Sequence, residues 1–136
     1  METLLRRDLV GWLRADAALM RRVNAIEEES PLDMHPPWIG IAASASADWS
    51  TKTESGREVR IALELLARGQ ETAGLDDTVA ALERRIAALP AQWSGYRIVH
   101  TRFLRSRVER RDRAARAALV EYRFRILATP PLETPR

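Results

Sequence analysis

The stretch Asp48–Leu66, DWSTKTESGREVRIALELL, decides the fold, because a polar loop with one large aromatic runs without a break into an alternating strand. Val59, Ile61, Leu63 and Leu65 fall on one face and Arg60, Ala62 and Glu64 on the other, the period of two required of a strand buried on one side. This strand is expected at the centre of the sheet. The loop before it holds the only lysine, Lys52, beside Thr51, Thr53, Ser55 and Gly56, and nothing in it can bury Trp49 locally. Trp49 therefore either folds back onto its own domain or is covered by another subunit.

Upstream, Trp38 to Ser46 reads as a strand with Ile39, Ile41 and Ala43 on one face, forming an antiparallel hairpin with the strand after the loop. Before it, Asn24 to Pro37 carries Glu27, Glu28, Glu29 and three prolines, and reads as a connector. From Thr3 to Val23, Leu5, Leu9, Trp12, Leu13, Leu19, Met20 and Val23 recur at helical spacing, with a bend near Ala15 and Asp16. Downstream, Leu75, Val79, Leu82, Ile86 and Leu89 step by four and three, the sharpest helical signal, starting at Thr72, Asp76 or Asp77 and stopped by Pro90. On this helix Glu83, Arg84 and Arg85 read as a solvated face. Tyr96–Arg110 is a long strand whose alternation slips, so a bulge is expected near Phe103 and Leu104. After a basic turn, Val120, Tyr122, Phe124 and Ile126 alternate with Glu121, Arg123 and Arg125 in a last strand.

The expected architecture is α+β: a four-stranded antiparallel sheet of two hairpins with helices packed on one face, in the order α-β-β-α-β-β. Residues 1–128 are expected as one domain, with 129–136 as a flexible proline-rich tail. The chain of 136 residues is long enough to bury a core without staples, and it has no cysteine, which excludes disulfides and thiolate metal sites. Charges at Glu2, Arg6, Arg7, Asp8 and Arg14 interrupt the N-terminus, so a signal peptide or spanning helix is not expected there and the chain reads as soluble. The sequence pI of about 10.1 at a net charge of only +3 reflects the fact that nearly every cation is arginine.

Catalysis needs a nucleophile with its base, a carboxylate pair or a metal centre, and no spacing of that kind occurs; the two histidines, His35 and His100, are far apart in sequence. No enzyme activity, cofactor or metal is expected. What stands out is charge. Arg60 and Glu64, Arg105 and Arg107, and Glu121, Arg123 and Arg125 share the polar face of the sheet, where opposite charges can pair within one sheet or across a subunit boundary. The turn ERRDRAAR, Glu109–Arg116, adds Arg110, Arg111 and Arg113 at a hairpin tip, able to touch DNA phosphates or an acidic protein rim.

Together ADAALMRRV, PPWIGI, DWSTKTESGREVRIAL, TVAALERRIAAL and FLRSRVERRDRAARAALVEYRFRILA resemble the tail-completion or tail-terminator proteins of long-tailed phages and gene transfer agents, from about Leu4 to Ala128. The resemblance implies a structural protein of the particle, made in the bacterial cytoplasm. Such proteins form a ring, commonly of six copies, at the head-proximal end of the tail tube, stop tube growth and join the tail to the head connector. It implies as partners further copies of the chain, the tail tube protein and the connector protein, with DNA passing through the channel without specific binding and no membrane involved. Head-to-tail contacts in a ring need two different patches per subunit. The candidate interface residues are Trp49 and Lys52 in the loop, Arg60, Glu64, Arg123 and Arg125 on the sheet face, and Arg110, Arg111 and Arg113 at the turn. The alternative is a small basic nucleic-acid-binding module using the charged sheet face.

Overall fold

The computed structural model describes residues 1–31, 33–69, 72–112 and 114–132. Helix α1 (Glu2–Arg14) and the single turn α2 (Ala17–Met20) come first. Strands β1 (Ala25–Glu27), β2 (Trp38–Asp48) and β3 (Gly56–Arg68) follow, then helix α3 (Thr72–Ala87) and strands β4 (Gln92–Trp93), β5 (Tyr96–Arg110) and β6 (Ala115–Ala128). Asp16 occupies the N-cap position of α2 without donating or accepting a capping bond.

The expectation of a four-stranded antiparallel sheet is wrong. The sheet is mixed, has six strands in the order β1-β2-β3-β6-β5-β4 and curls into a half-barrel, and the chain order is α-α-β-β-β-α-β-β-β. Both hairpins exist, β2 with β3 and β5 with β6, and they join through an antiparallel β3–β6 seam that pairs Gly56 with Leu127 at one end and Arg68 with Ala115 at the other. The two additional strands sit at the rims. β1 runs parallel to β2, setting Ile26 beside Ile39 inside the segment read as a connector, and β4 pairs only Gln92 and Trp93 with β5. Strands of three and two residues are shorter than any period that could reveal them.

Cross-strand partners share a face, so register assigns every side chain. The inner face carries Ile39, Ile41, Val59, Ile61, Leu63, Leu65, Val120, Tyr122, Phe124 and Ile126, buried with Leu5, Leu9 and Leu13 of α1 and Leu75, Leu82 and Ile86 of α3 in one core. Each fully buried large aliphatic or aromatic side chain here contributes about 1.5–3 kcal/mol relative to exposure. The alternation in β5 is reset between Phe103 and Arg105, as its sequence requires, and again between Ile98 and His100.

The helices are tied to the sheet and to each other by polar contacts at the core's margin. Arg85 is not on a solvated face: the Trp12 indole N–H donates to the Arg85 carbonyl at 2.9 Å, the Arg85 Nε–H donates to the Trp12 carbonyl at 2.9 Å, and the guanidinium lies 3.4 Å from the centre of the Trp12 ring. Ser44 of β2 donates to the Glu2 carboxylate at 2.6 Å, and this bond, followed by one from Ser46, holds that carboxyl below the usual range. Thr129 N–H donates to the Gly95 carbonyl at 3.1 Å, and residues 133–136, the end of the segment expected as a tail, lie outside the described residues.

Both tyrosines of the chain are held in their neutral form. Burial, and then the bond from the Tyr96 hydroxyl to Asp8 at 2.9 Å, push the Tyr96 phenol far above its ordinary value; burial, and then Glu83, push Tyr122 up to about 12. A phenol whose pKa is raised on folding stabilises the fold fully below the unfolded value of about 10, and that contribution is lost as pH rises through the folded value. Tyrosinate absorbance is therefore expected to stay absent near pH 10 and to appear at higher pH together with the loss of circular dichroism. Titration of both phenols near pH 10 in a chain that keeps its native spectrum would contradict this placement.

Candidate functional site

The outer face of the sheet, away from the buried core, is laid out in rows across β2, β3, β6 and β5. One row reads Ala47, Glu58, Arg125, His100; the next reads Ala45, Arg60, Arg123, Arg102; the third reads Ala43, Ala62, Glu121, Arg105. Three arginines thus stand directly opposite one another in the middle row. Like charges opposed across strands destabilise a sheet, so this arrangement has to be offset locally or used. The offset is partial. Arg123 lies 3.4 Å from Glu58, and Arg105 pairs with Glu121, whose carboxyl is held below its ordinary range chiefly by that bond. The Nε of Arg123, although it is the atom nearest Glu58, is not aligned to hydrogen-bond it, and this Nε and the Nε of Arg125 are buried without a hydrogen bond among the described residues.

Each residue expected at an interface has a definite place. Trp49 folds back onto its own chain: half-buried, it stacks edge-on with His100 at 6.2 Å, and the Arg125 guanidinium lies 5.5 Å from its ring centre. Lys52 is exposed at the loop tip and is in no ion pair among the described residues. Arg60 is exposed in the middle row. Glu64 accepts from Arg111 at 2.7 Å and from the Ser30 hydroxyl at 3.2 Å, so the basic turn folds onto its own sheet. Arg111 also reaches Glu109 at 3.3 Å, Arg110 is exposed at the end of β5, and Arg113 lies outside the described residues. The structure brings together Trp49 with Arg125, Glu64 with Arg111, and Arg60 with Arg123.

The loop owes its shape to its hydroxyls. Thr51 Oγ1 accepts the N–H of Glu54 at 2.9 Å, the Ser50 hydroxyl donates to Asp48 at 2.6 Å and accepts the Gly56 N–H at 3.0 Å, and Arg97 clasps Glu54 at 3.2 Å. Side chains that bond nearby backbone in this way fix a turn without a core beneath it. Arg102 and Glu58 belong to the same surface and were not singled out from sequence. Their faces depend on where β5 bulges and on which strand flanks β3, and neither is a local property.

The surface so defined is an open sheet face bearing interleaved charges, bordered by a loop stiffened by its own hydroxyls. The chain belongs to the family described as tail completion protein gp17, whose model matches residues 7–127. It is thus a structural protein of a phage-type tail and not an enzyme. Its fold is similar to a chain in the virion of a native gene transfer agent particle, at 23% identity with a TM-score of 0.77, covering 92% of this chain and 96% of that one. It is also similar to the gp17 protein of bacteriophage SPP1, at 18% identity with a TM-score of 0.60, covering 99% of this chain and 93% of that one. No curated protein matches the sequence. Among the described residues no helix is long and apolar enough to cross a membrane.

Proposed function

We propose that this chain closes into a ring of like copies, six in number, at the head-proximal end of a tail tube, where it ends tube growth and joins the tail to the head connector. The observation that carries the reading is the family match over residues 7–127, and the open charged face supports it as a surface built to meet other subunits. In this reading the loop with Trp49 and Lys52 is one patch, the face with Arg60, Glu64, Arg123 and Arg125 is the other, and the turn with Arg110, Arg111 and Arg113 reaches towards a neighbouring ring. DNA passes through the channel without being gripped, since tight phosphate contacts would retard it.

Negative-stain microscopy tests this: tails assembled without the chain are expected to lack heads and to vary in length, and tails with it to end in a ring. Trp49→Ala is expected to cost about 1 kcal/mol of stability, from the lost cation–π contact with Arg125, while reducing tail joining far more than that loss of fold explains. Normal joining by this variant would remove Trp49 from the interface.

The row Arg60, Arg123, Arg102 also supports a second reading, a nucleic-acid-binding module. Steeply salt-dependent retention of DNA or RNA by the purified chain would favour it, and rings that form in high salt without retention would favour the first.

A further inference from the structure

The sheet ends in two strand edges with which no further strand pairs among the described residues. β4 pairs with β5 only at Tyr96 and Arg97, and β1 pairs with β2 only as far as Gly40, so β5 from His100 to Arg110 and β2 from Ala42 to Asp48 are unpaired on their outer sides among the described residues. Exposed edges recruit other strands, and proteins that stay single guard them with charge, proline or a cover. The β2 edge, AASASAD, has no proline and no charged residue of its own before Asp48; Arg6 and Glu2 of α1 bond the Ser44 hydroxyl on the inner face, and no strand pairs with the backbone beside it among the described residues.

The two edges are complementary. β5 carries Arg102, Arg105, Arg107 and Arg110, of which Arg105 pairs with Glu121 and Arg107 with Glu109, while the β2 edge is bordered by exposed Glu28 and Glu29, with Arg6 beside them, at one end and by Asp48 at the other. Gly40, packed beside Glu29, shares a sheet row with Arg107, so a neighbour brought alongside without vertical shift sets its Arg107 level with the glutamates. β2 and β5 run in opposite directions within the sheet, and juxtaposing them between copies continues its antiparallel alternation. The free stretch of β5 also exposes Phe103 (46%) and Val108 (50%) on the inner side. An apolar side chain left open beside an unpaired edge has a reason if another subunit covers both.

We infer that copies of this chain join head to tail by pairing the free edge of β5 in one subunit with the free edge of β2 in the next, continuing the sheet from subunit to subunit. The two edges differ, so the contact is heterologous and propagates, closing into a ring when the rotation between copies allows. This assignment rests on the ring reading and moves the contact between copies to the strand edges, leaving the Trp49 loop and the charged sheet face to the neighbours above and below the ring.

The chain has no cysteine, so introduced thiols are its only ones. Ser46 and Thr101 share an inner-face row, which makes Ser46→Cys with Thr101→Cys the pair for unshifted subunits, and Ser106→Cys or Val108→Cys in place of the latter covers a shifted register. Each double variant is produced with the remaining tail genes, the tails are oxidised, and the products are separated on denaturing gels. A thiol on one edge alone can link no more than two chains, so a ladder running past the dimer to one largest species, given by a double variant and lost in both singles, is expected. If glutaraldehyde fixes a ladder of the wild-type chain on these tails but no double variant yields one, the edge pairing is overturned and the ring stands. If glutaraldehyde yields none either, the ring reading falls and the edge pairing with it.

Discussion

Gly56→Ala is expected to cost about 2–3 kcal/mol and to deform the loop that carries Trp49, because an added methyl group has nowhere to go. Its Cβ would stand 2.5 Å from the Trp49 carbonyl oxygen, 2.7 Å from a Leu127 methyl and 2.9 Å from the Ile126 carbonyl oxygen. Two of these three are backbone atoms held in place, since Trp49 N–H donates to Gly56 O at 3.0 Å and β3 pairs with β6 here, so relief means moving the loop or opening the seam. Urea denaturation measures the loss, and Trp49 fluorescence, read with the other tryptophans replaced by phenylalanine, reports the loop. A Gly56→Ala chain of wild-type stability would mean that the loop gives way freely, which its hydroxyl bonds argue against.

Phe124→Ala is expected to be the more damaging, at about 3–5 kcal/mol, with Phe124→Leu recovering most of it. Phe124 is fully buried at the middle of β6, opposite Val59 on one side and Thr101 on the other, with the Tyr122 ring 6.0 Å away. Truncation leaves a cavity on the strand that joins the two hairpins, and rigid strands on both flanks limit collapse into it. Thermal melts of the two variants give the ranking, and a loss below about 1 kcal/mol for Phe124→Ala would place this side chain outside a packed core.

The long elements were legible because each has its own period. Val59 to Leu65 and Val120 to Ile126 alternate, Leu75 to Leu89 steps by three and four, and even the Phe103 bulge announces itself as a slip in an otherwise regular pattern. The rim strands were not legible. Ile26 is buried in a sheet only because α1 and β2 are there to receive it, and the three-residue strand that holds it carries no rhythm. Arg85 misled for a related reason: its position on α3 predicts exposure, and Trp12, from a helix far earlier in the chain, turns that position into a clamp.

The candidate surface divides in the same way. Its residue types were visible as charges on alternating positions, and the DWSTKT and GREVR segments marked the loop as unusual. The sequence by itself determined which side chains face a core, where the chain turns, and that the opposite face is rich in arginine and glutamate, because each of these depends on neighbours within a few residues. Only the tertiary structure decided that three arginines stand in one row, that Trp49 leans on Arg125, and that two strand edges are left unpaired among the described residues. Those outcomes depend on strand order and register, which are fixed by contacts between residues dozens of positions apart.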